Sequence, residues 1–161
     1  MCIRDSTQHA KENNKPTRYI DSLPDMVAAL NYANIHFPDS DVIAWGSSYS
    51  AALALHVAGA HPELVDGVLS FAPGEYFAKQ GKSKSWIRES ASNIQVPVFI
   101  TSALNEKNNW QAIFEAIPSS DKTSFLPNSK GNHGSRALWE QFDDSSEYWE
   151  AVSQFLKDNF K

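Results

Sequence analysis

The sequence predicts an α/β fold: a parallel sheet of about four strands, covered by helices on both faces. Helical and strand-like segments alternate in the order αβαβαβαβα, which requires parallel strands joined by crossover helices. The strand-like segments are short apolar runs without polar alternation, as in strands that are buried on both faces. The chain has 161 residues, 42% of them hydrophobic, enough for one domain with a buried core.

The first helix and the first strand are predicted within residues 21–45. The helix begins near Ser22, a candidate N-cap, has Pro24 in its first turn and ends at Pro38. The run DVIAW, residues 41–45, is apolar without alternation and is predicted to be a strand buried on both faces.

The remaining elements follow in chain order. AALALHVAGAHP continues as a helix to about Ala60, and DGVLSFAP is the second strand. Residues 74–94 are polar and glycine-containing, which predicts a loop with one helical turn. QVPVFITSA is the third strand, NNWQAIFEAIP a helix and KTSFLP a short fourth strand. SRALWEQF is a helical piece, and SSEYWEAVSQFLKDNF is an amphipathic C-terminal helix.

The N-terminal segment has a different character. Residues 1–18 are predicted to be a disordered or non-native tail, and residues 19–161 form the domain. The opening MCIRDSTQHAKENNKPT is polar and unpatterned, and MCIRDS resembles the spurious starts of conceptually translated sequence reads. No signal peptide is recognisable, but a non-native N-terminus would hide one, so the localisation stays open, with cytoplasmic only as the default.

The turn GSSYS, directly after DVIAW, fits the pattern small-x-nucleophile-x-small. Ligands of parallel α/β sheets bind at the carboxyl ends of the strands, where this turn lies. Ser48 is expected to have a strained, positive φ, and Gly46 and Ser50 to be small where strand and helix approach each other. The helix that begins at Tyr49 aims its free N–H groups at this place. The motif alone leaves open a plain N-cap, and no phosphate-binding GxGxxG or GxxxxGK[ST] is present.

A serine hydroxyl becomes a nucleophile only when a base takes its proton and a carboxylate orients that base. Glu106 follows the third strand, and His133 lies after the fourth strand, between Gly131 and Gly134. Both residues therefore belong to the same rim of the sheet as Ser48. The agreement of three placements is a stronger signal than the serine motif alone.

With these segments the chain resembles the C-terminal part of an α/β-hydrolase, similar in layout to the dienelactone-hydrolase and prolyl-peptidase-like branches of that superfamily. The resemblance covers residues 19–161. It implies Ser48 as nucleophile, His133 as base and Glu106 as the acid, where the family more often has Asp. Neighbouring Asn105 leaves the acid assignment open by one residue, and Ser50 replaces the commoner Gly.

The resemblance also implies what the chain lacks. The N–H of Tyr49 is one oxyanion donor, and the second comes from a loop after an earlier strand that does not precede residue 19. Four strands are absent, including the neighbour of DVIAW. That run is therefore expected to form a sheet edge with unpaired N–H and C=O groups. Loss of one oxyanion donor costs roughly 10²–10³ in rate, so the fragment is expected to be weakly active or inactive.

The predicted function is a serine hydrolase that acts on an ester or related acyl bond of a small-molecule substrate, with no metal or organic cofactor implied. An acyltransferase or a peptidase would use the same residues, and residues 74–94 and the loop with Glu106 would set substrate choice. The alternative is a non-catalytic α/β binding domain or degenerate hydrolase. The structure would favour this alternative if no carboxylate reached His133.

Composition excludes several partners. The net charge is −5 with acids and bases interspersed, so nucleic acid is not expected. The sequence has no run of 18 apolar residues, so no membrane span is expected. The single cysteine, Cys2, rules out an internal disulfide. Self-association through the exposed sheet edge is the one protein contact that the sequence suggests.

Other residues of catalytic type have structural interpretations. Ser47 lies on the strand side of the turn, and His56 lies on the core side of the following helix. His36 and His61 sit at helix ends, His9 lies in the tail, and Asp66 and Asp121 lie at the wrong ends of strands. Trp86, Trp110 and Trp139 could line a pocket, but aromatic residues on such elements are more often part of the core.

Overall fold

The structure, a computed structural model, describes residues 3–160; residues 1 and 2 of the predicted tail and residue 161 lie outside that range. The described chain has four strands, β1 (Ile43–Ser47), β2 (Gly67–Phe71), β3 (Val98–Thr101) and β4 (Lys122–Phe125). Its α-helices are α1 (Ile3–Glu12), α2 (Leu23–His36), α3 (Tyr49–Ala60), α4 (Trp86–Ala91), α5 (Lys107–Ala116) and α6 (Ser145–Asn159). Short 3₁₀ helices cover Tyr19–Ser22, Pro62–Leu64, Ala78–Gln80, Leu104–Glu106 and Gly134–Leu138.

The four strands form one parallel sheet in the order β1-β2-β3-β4. Each strand is joined to the next by a crossover that contains a helix, so the predicted parallel α/β architecture is confirmed. The carboxyl ends of all four strands lie at the same rim of the sheet. The segments that follow β1, β3 and β4 at this rim carry the predicted site residues.

Side chains alternate between two apolar layers, because successive residues of a strand point to opposite faces. One layer packs the sheet against α2, α3, α4 and α5, and the other packs it against α6. Helices therefore cover both faces, as predicted. The strand residues of the first layer include Ala44, Val68, Val98 and Ile100; those of the second include Leu69, Phe71 and Phe99.

Two local predictions differ from the structure. Residues 74–94 contain more order than a loop with one turn, because α4 inserts fully buried Ile87 and Ala91 into the first apolar layer. The segment predicted as a helical piece before the last helix is a 3₁₀ helix, Gly134–Leu138.

The prediction that DVIAW is buried on both faces is wrong for Trp45, which is 47% exposed. The reason is the position of β1, which pairs only with β2 among residues 3–160 and is an edge strand. The expected sheet edge is thus confirmed. Trp45 packs on Phe71 and Trp149, but no further strand covers its outer side in the described chain.

The main-chain N–H and C=O groups of successive residues in β1 point alternately to β2 and to the open edge of the sheet. The carbonyl of Val42 accepts the N–H of Asp66, and the N–H of Ser48 donates to the carbonyl of Phe71. Even-numbered residues therefore face β2, and the groups of Ile43, Trp45 and Ser47 face the open edge. Self-association through this edge stays a prediction.

In the segment predicted to be a disordered or non-native tail, the structure has α1, a helix over Ile3–Glu12. Residues 11–19 are exposed throughout. The domain boundary at residue 19 and the non-native character of residues 1–18 stay predictions. None of the helices described between residues 3 and 160 is long and apolar enough to cross a membrane.

Candidate active site

The turn between β1 and α3 holds Ser48 in the predicted strained backbone. Ser48 has φ 59° and ψ −121°, a region that residues other than glycine rarely occupy. A Cβ at Gly46 would lie closer than 3.0 Å to the main chain of Ser50, so a larger residue does not fit there. The sequence expectation of a sharp strand-to-helix turn with small flanking residues is confirmed.

Ser50, the last serine of the turn, forms hydrogen bonds with main-chain groups of Ser47, the first. Ser50 Oγ accepts the N–H of Ser47 at 2.9 Å and donates to the carbonyl of Ser47 at 2.8 Å. These are the two Ser47 groups that face the open edge of β1. Ser50 therefore closes the end of the edge strand beside Ser48.

The three predicted residues form a continuous hydrogen-bonded chain. His133 Nε2 lies 2.9 Å from Ser48 Oγ, and His133 Nδ1 lies 2.5 Å from Glu106 Oε1. The structure thus brings together side chains that are separated by as many as 85 positions in sequence. Of the two candidates for the acid, Glu106 is the one that reaches the histidine, and Asn105 is exposed.

The carboxylate of Glu106 is held at both oxygens. Oε1 meets His133, while Oε2 accepts the N–H of Ala103 at 3.2 Å. The N–H of Leu104 donates to the carbonyl of Lys130 at 3.0 Å, which joins the segment of Glu106 to that of His133. The side chain of Glu106 is 20% exposed and that of His133 is 46% exposed, so the site opens to solvent on the histidine side.

Tyr49 is the first residue of α3, where main-chain N–H groups have no acceptor within the helix. Its ring stacks on Tyr19 with the ring centroids 4.2 Å apart. The place of its N–H directly after Ser48 agrees with the predicted site for an oxyanion donor. Its role in catalysis stays a prediction.

A tyrosine that the sequence did not single out lies within reach of the negative charge of Glu106. The hydroxyl of Tyr76 donates to the carbonyl of Ala72, a residue with φ 57° at the end of β2. Burial raises the pKa of Tyr76 to about 12, and the negative charge of Glu106 adds to the rise. Segment 74–94 therefore contributes a neutral aromatic side chain to the surroundings of Glu106.

The competing residues take other places. Asp66 accepts the N–H of Val42, and the carbonyl of Asp121 accepts the N–H of Val98, so both lie at the amino ends of strands as predicted. Of the tryptophans expected at core positions, Trp110 is buried and donates to Ser102 Oγ, and Trp86 packs against His56 and Phe77. The core interpretation is wrong for Trp139, which is 56% exposed and packs only on Phe142 among the aromatic residues described. His9 lies in α1, His36 in the last turn of α2 and His61 just after α3.

His56 is a packed histidine, as predicted. Its Nδ1 lies 2.6 Å from Ser90 Oγ and its ring packs on Trp86. Burial lowers the pKa of His56 from 6.5 to about 4, and the positive charges of Lys82 and His61 act in the same direction. His56 is therefore neutral in the folded protein at neutral pH.

This depressed pKa predicts a loss of stability in mild acid. Between pH 6.5 and about 4 the unfolded chain binds a proton at His56 that the folded chain does not, so the free energy of unfolding falls through this window. Urea unfolding of the wild type and of His56→Gln at pH 7.5 and pH 5 should show a larger acid loss for the wild type. Equal losses in the two proteins would contradict the prediction.

Comparison with known proteins places the fold. No family model and no curated protein matches the sequence. Among solved structures, an esterase of Pyrococcus furiosus is 16% identical, with a TM-score of 0.69 over 89% of this chain and 65% of its own. Dienelactone hydrolase from Anabaena variabilis is 15% identical, with a TM-score of 0.71 over 98% of this chain and 68% of its own. Acetyl xylan esterase from Paenibacillus sp. R4 is 16% identical, with a TM-score of 0.65 over 88% and 53%.

The chain thus spans 65% of the length of the first of these proteins. At identities this low, the likeness concerns the fold alone. The chain has the α/β-hydrolase fold that the resemblance implied.

Proposed function

We propose that this chain carries a serine hydrolase site for an ester or a related acyl bond. The observation that supports the proposal is the hydrogen-bonded chain from Ser48 through His133 to Glu106, with distances of 2.9 Å and 2.5 Å. The positive φ of Ser48, on a turn at the carboxyl end of a parallel strand, is the backbone that such nucleophiles adopt.

In the proposed reaction Ser48 Oγ attacks the acyl carbonyl, and its proton passes to His133 Nε2. Glu106 accepts the Nδ1–H bond, which keeps Nε2 free to accept that proton, and then stabilises the imidazolium. The main-chain N–H of Tyr49 donates to the developing oxyanion. The proton on Nε2 then moves to the leaving group as its bond to the carbonyl carbon breaks. Water, activated by the same imidazole, releases the acid from Ser48.

The proposed substrate class is a small carboxylic ester. Two of the similar structures described above are named as esterases and one as dienelactone hydrolase, which supports ester chemistry. A peptidase or an acyltransferase would use the same side chains, and a dipeptidyl peptidase is also among the similar structures. Residues 74–94 and the loop that holds Glu106 would select among esters.

The test is covalent labelling with a fluorophosphonate probe, which reacts with activated serines. We expect the wild type to label on the peptide that contains Ser48, Ser48→Ala to lose all labelling, and Ser124→Ala to label like the wild type. Ser124 is an exposed serine of β4 and serves as the matched control. A folded wild type that does not label would overturn the proposal for this chain and favour the non-catalytic binding domain.

A further inference from the structure

The segment that carries His133, residues 126–135 and here called the histidine loop, rests against a hydroxyl on the side of the nucleophile. Ser47 Oγ accepts the N–H of Ser135 at 2.9 Å. Gly134, with φ 66°, makes this approach possible, because a Cβ there would overlap Ser47 Oγ. The serine that precedes the nucleophile thus fixes the chain just beyond the histidine.

A second hydroxyl meets the histidine loop on the side of the acid. Tyr148, fully buried on α6, donates to the carbonyl of Ser102 at 3.1 Å, at the end of β3. A Cβ at Gly131, whose φ is 71°, would overlap the hydroxyl of Tyr148 and would lie 3.0 Å from Ala103 Cα. Burial raises the pKa of Tyr148 to about 12, so the hydroxyl keeps its proton.

These contacts matter because packing alone does not hold the imidazole. The side chain of His133 is 46% exposed, yet its ring must meet Ser48 with one nitrogen and Glu106 with the other. The direction of the ring is then set by the main chain on either side of residue 133. A displacement of about 1 Å in such a group can lower a rate about 10²-fold.

We propose that Ser47 and Tyr148 are positioning residues that hold His133 between the nucleophile turn and the loop of Glu106. The hydroxyl of Ser47 bonds the histidine loop directly, and the hydroxyl of Tyr148, which bonds the chain just after β3, packs against Gly131 of the same loop. The proposal rests on the proposed function for its effect on rate, whereas its effect on the geometry of His133 does not depend on catalysis.

The first test measures fluorophosphonate labelling rates of Ser47→Ala and Tyr148→Phe, which remove only the hydroxyls. We expect each rate to fall about 10- to 100-fold, by analogy with the loss seen when the partners that orient metal-ligating side chains are removed. Ser47→Thr keeps the hydroxyl and should restore labelling to near the wild-type rate, and Ser124→Ala should not change it. Circular dichroism at the labelling temperature confirms that each variant is folded.

The second test follows His133 itself, by NMR of the imidazole C–H groups in protein labelled with ¹³C-histidine and assigned with His133→Gln. We expect the His133 resonances to shift or broaden in Ser47→Ala and in Tyr148→Phe, and those of His61 to stay in place. Unmoved His133 resonances in both folded variants would overturn the inference, as would labelling at the wild-type rate. If the wild type does not label, the proposed function fails and the resonances alone decide this inference.

Discussion

Replacing Glu106 with glutamine should slow fluorophosphonate labelling of Ser48 by about 10³- to 10⁴-fold while leaving the fold intact. The amide fills the space of the carboxylate, and its carbonyl oxygen can still meet His133 Nδ1. However, the amide nitrogen can also donate to Nδ1, and the imidazole then carries its proton on Nε2, where it cannot accept the proton of Ser48. The rate constant for labelling, measured on variants with unchanged circular dichroism, tests this expectation.

The matched control for this variant is Asn105→Ala, at the adjacent exposed position that the sequence left open for the acid. It should label at the wild-type rate. A Glu106→Gln protein that labels as fast as the wild type would remove the carboxylate from the mechanism. An effect at Asn105 equal to that at Glu106 would point to the loop conformation as the cause.

The second large effect is expected at Gly59, on the face of α3 that packs against α4. In most helices a Gly→Ala change stabilises by about 0.5–1 kcal/mol. Gly59→Ala should instead destabilise the protein. A Cβ at this position would lie closer than 3.0 Å to the carbonyl carbon and oxygen of Ser90, which are main-chain atoms and cannot rotate away. Overpacking of this kind lowers the free energy of unfolding by about 1–3 kcal/mol or more.

Urea unfolding followed by circular dichroism measures this loss. The control is Ala60→Gly, one residue further along the helix and exposed, which exchanges the same two residue types in the opposite direction. It should lower the free energy of unfolding by no more than about 1 kcal/mol. A Gly59→Ala protein as stable as the wild type would mean that α3 and α4 can move apart without loss.

Local sequence patterns predicted most of the fold. The apolar runs near β1, β2 and β3 and the amphipathic pattern of α6 identified both the elements and their order. The helix α4 was largely missed, since six residues of mixed polarity give too short a pattern, and its role depends on α3 lying opposite. The exposure of Trp45 was missed for a related reason: the run DVIAW reads as a buried strand, whereas its burial depends on having neighbours on both sides.

The site residues were likewise predictable from local patterns, whereas the contacts that position them were not. Ser48, Glu106 and His133 could be placed because each follows a predicted strand, and parallel strands end at one rim. The contacts of Ser47 and Tyr148 could not be predicted, because they join segments 88 and 46 positions apart through main-chain atoms that carry no sequence pattern. The glycines on either side of His133 were the only signal, since both leave room for an approaching hydroxyl.

The arrangement of serines around the nucleophile limits how far the sheet can be extended. A strand added beside β1 would meet the outward-facing main-chain groups of Ile43 and Trp45, whereas at Ser47 the N–H already donates to Ser50 Oγ and the C=O already accepts from it. The new ladder would therefore end three residues before Ser48 and leave the reactive hydroxyl accessible. Because the side chain of Ser50 ends the pairing edge before Ser48, another strand can pair with β1 without covering the nucleophile.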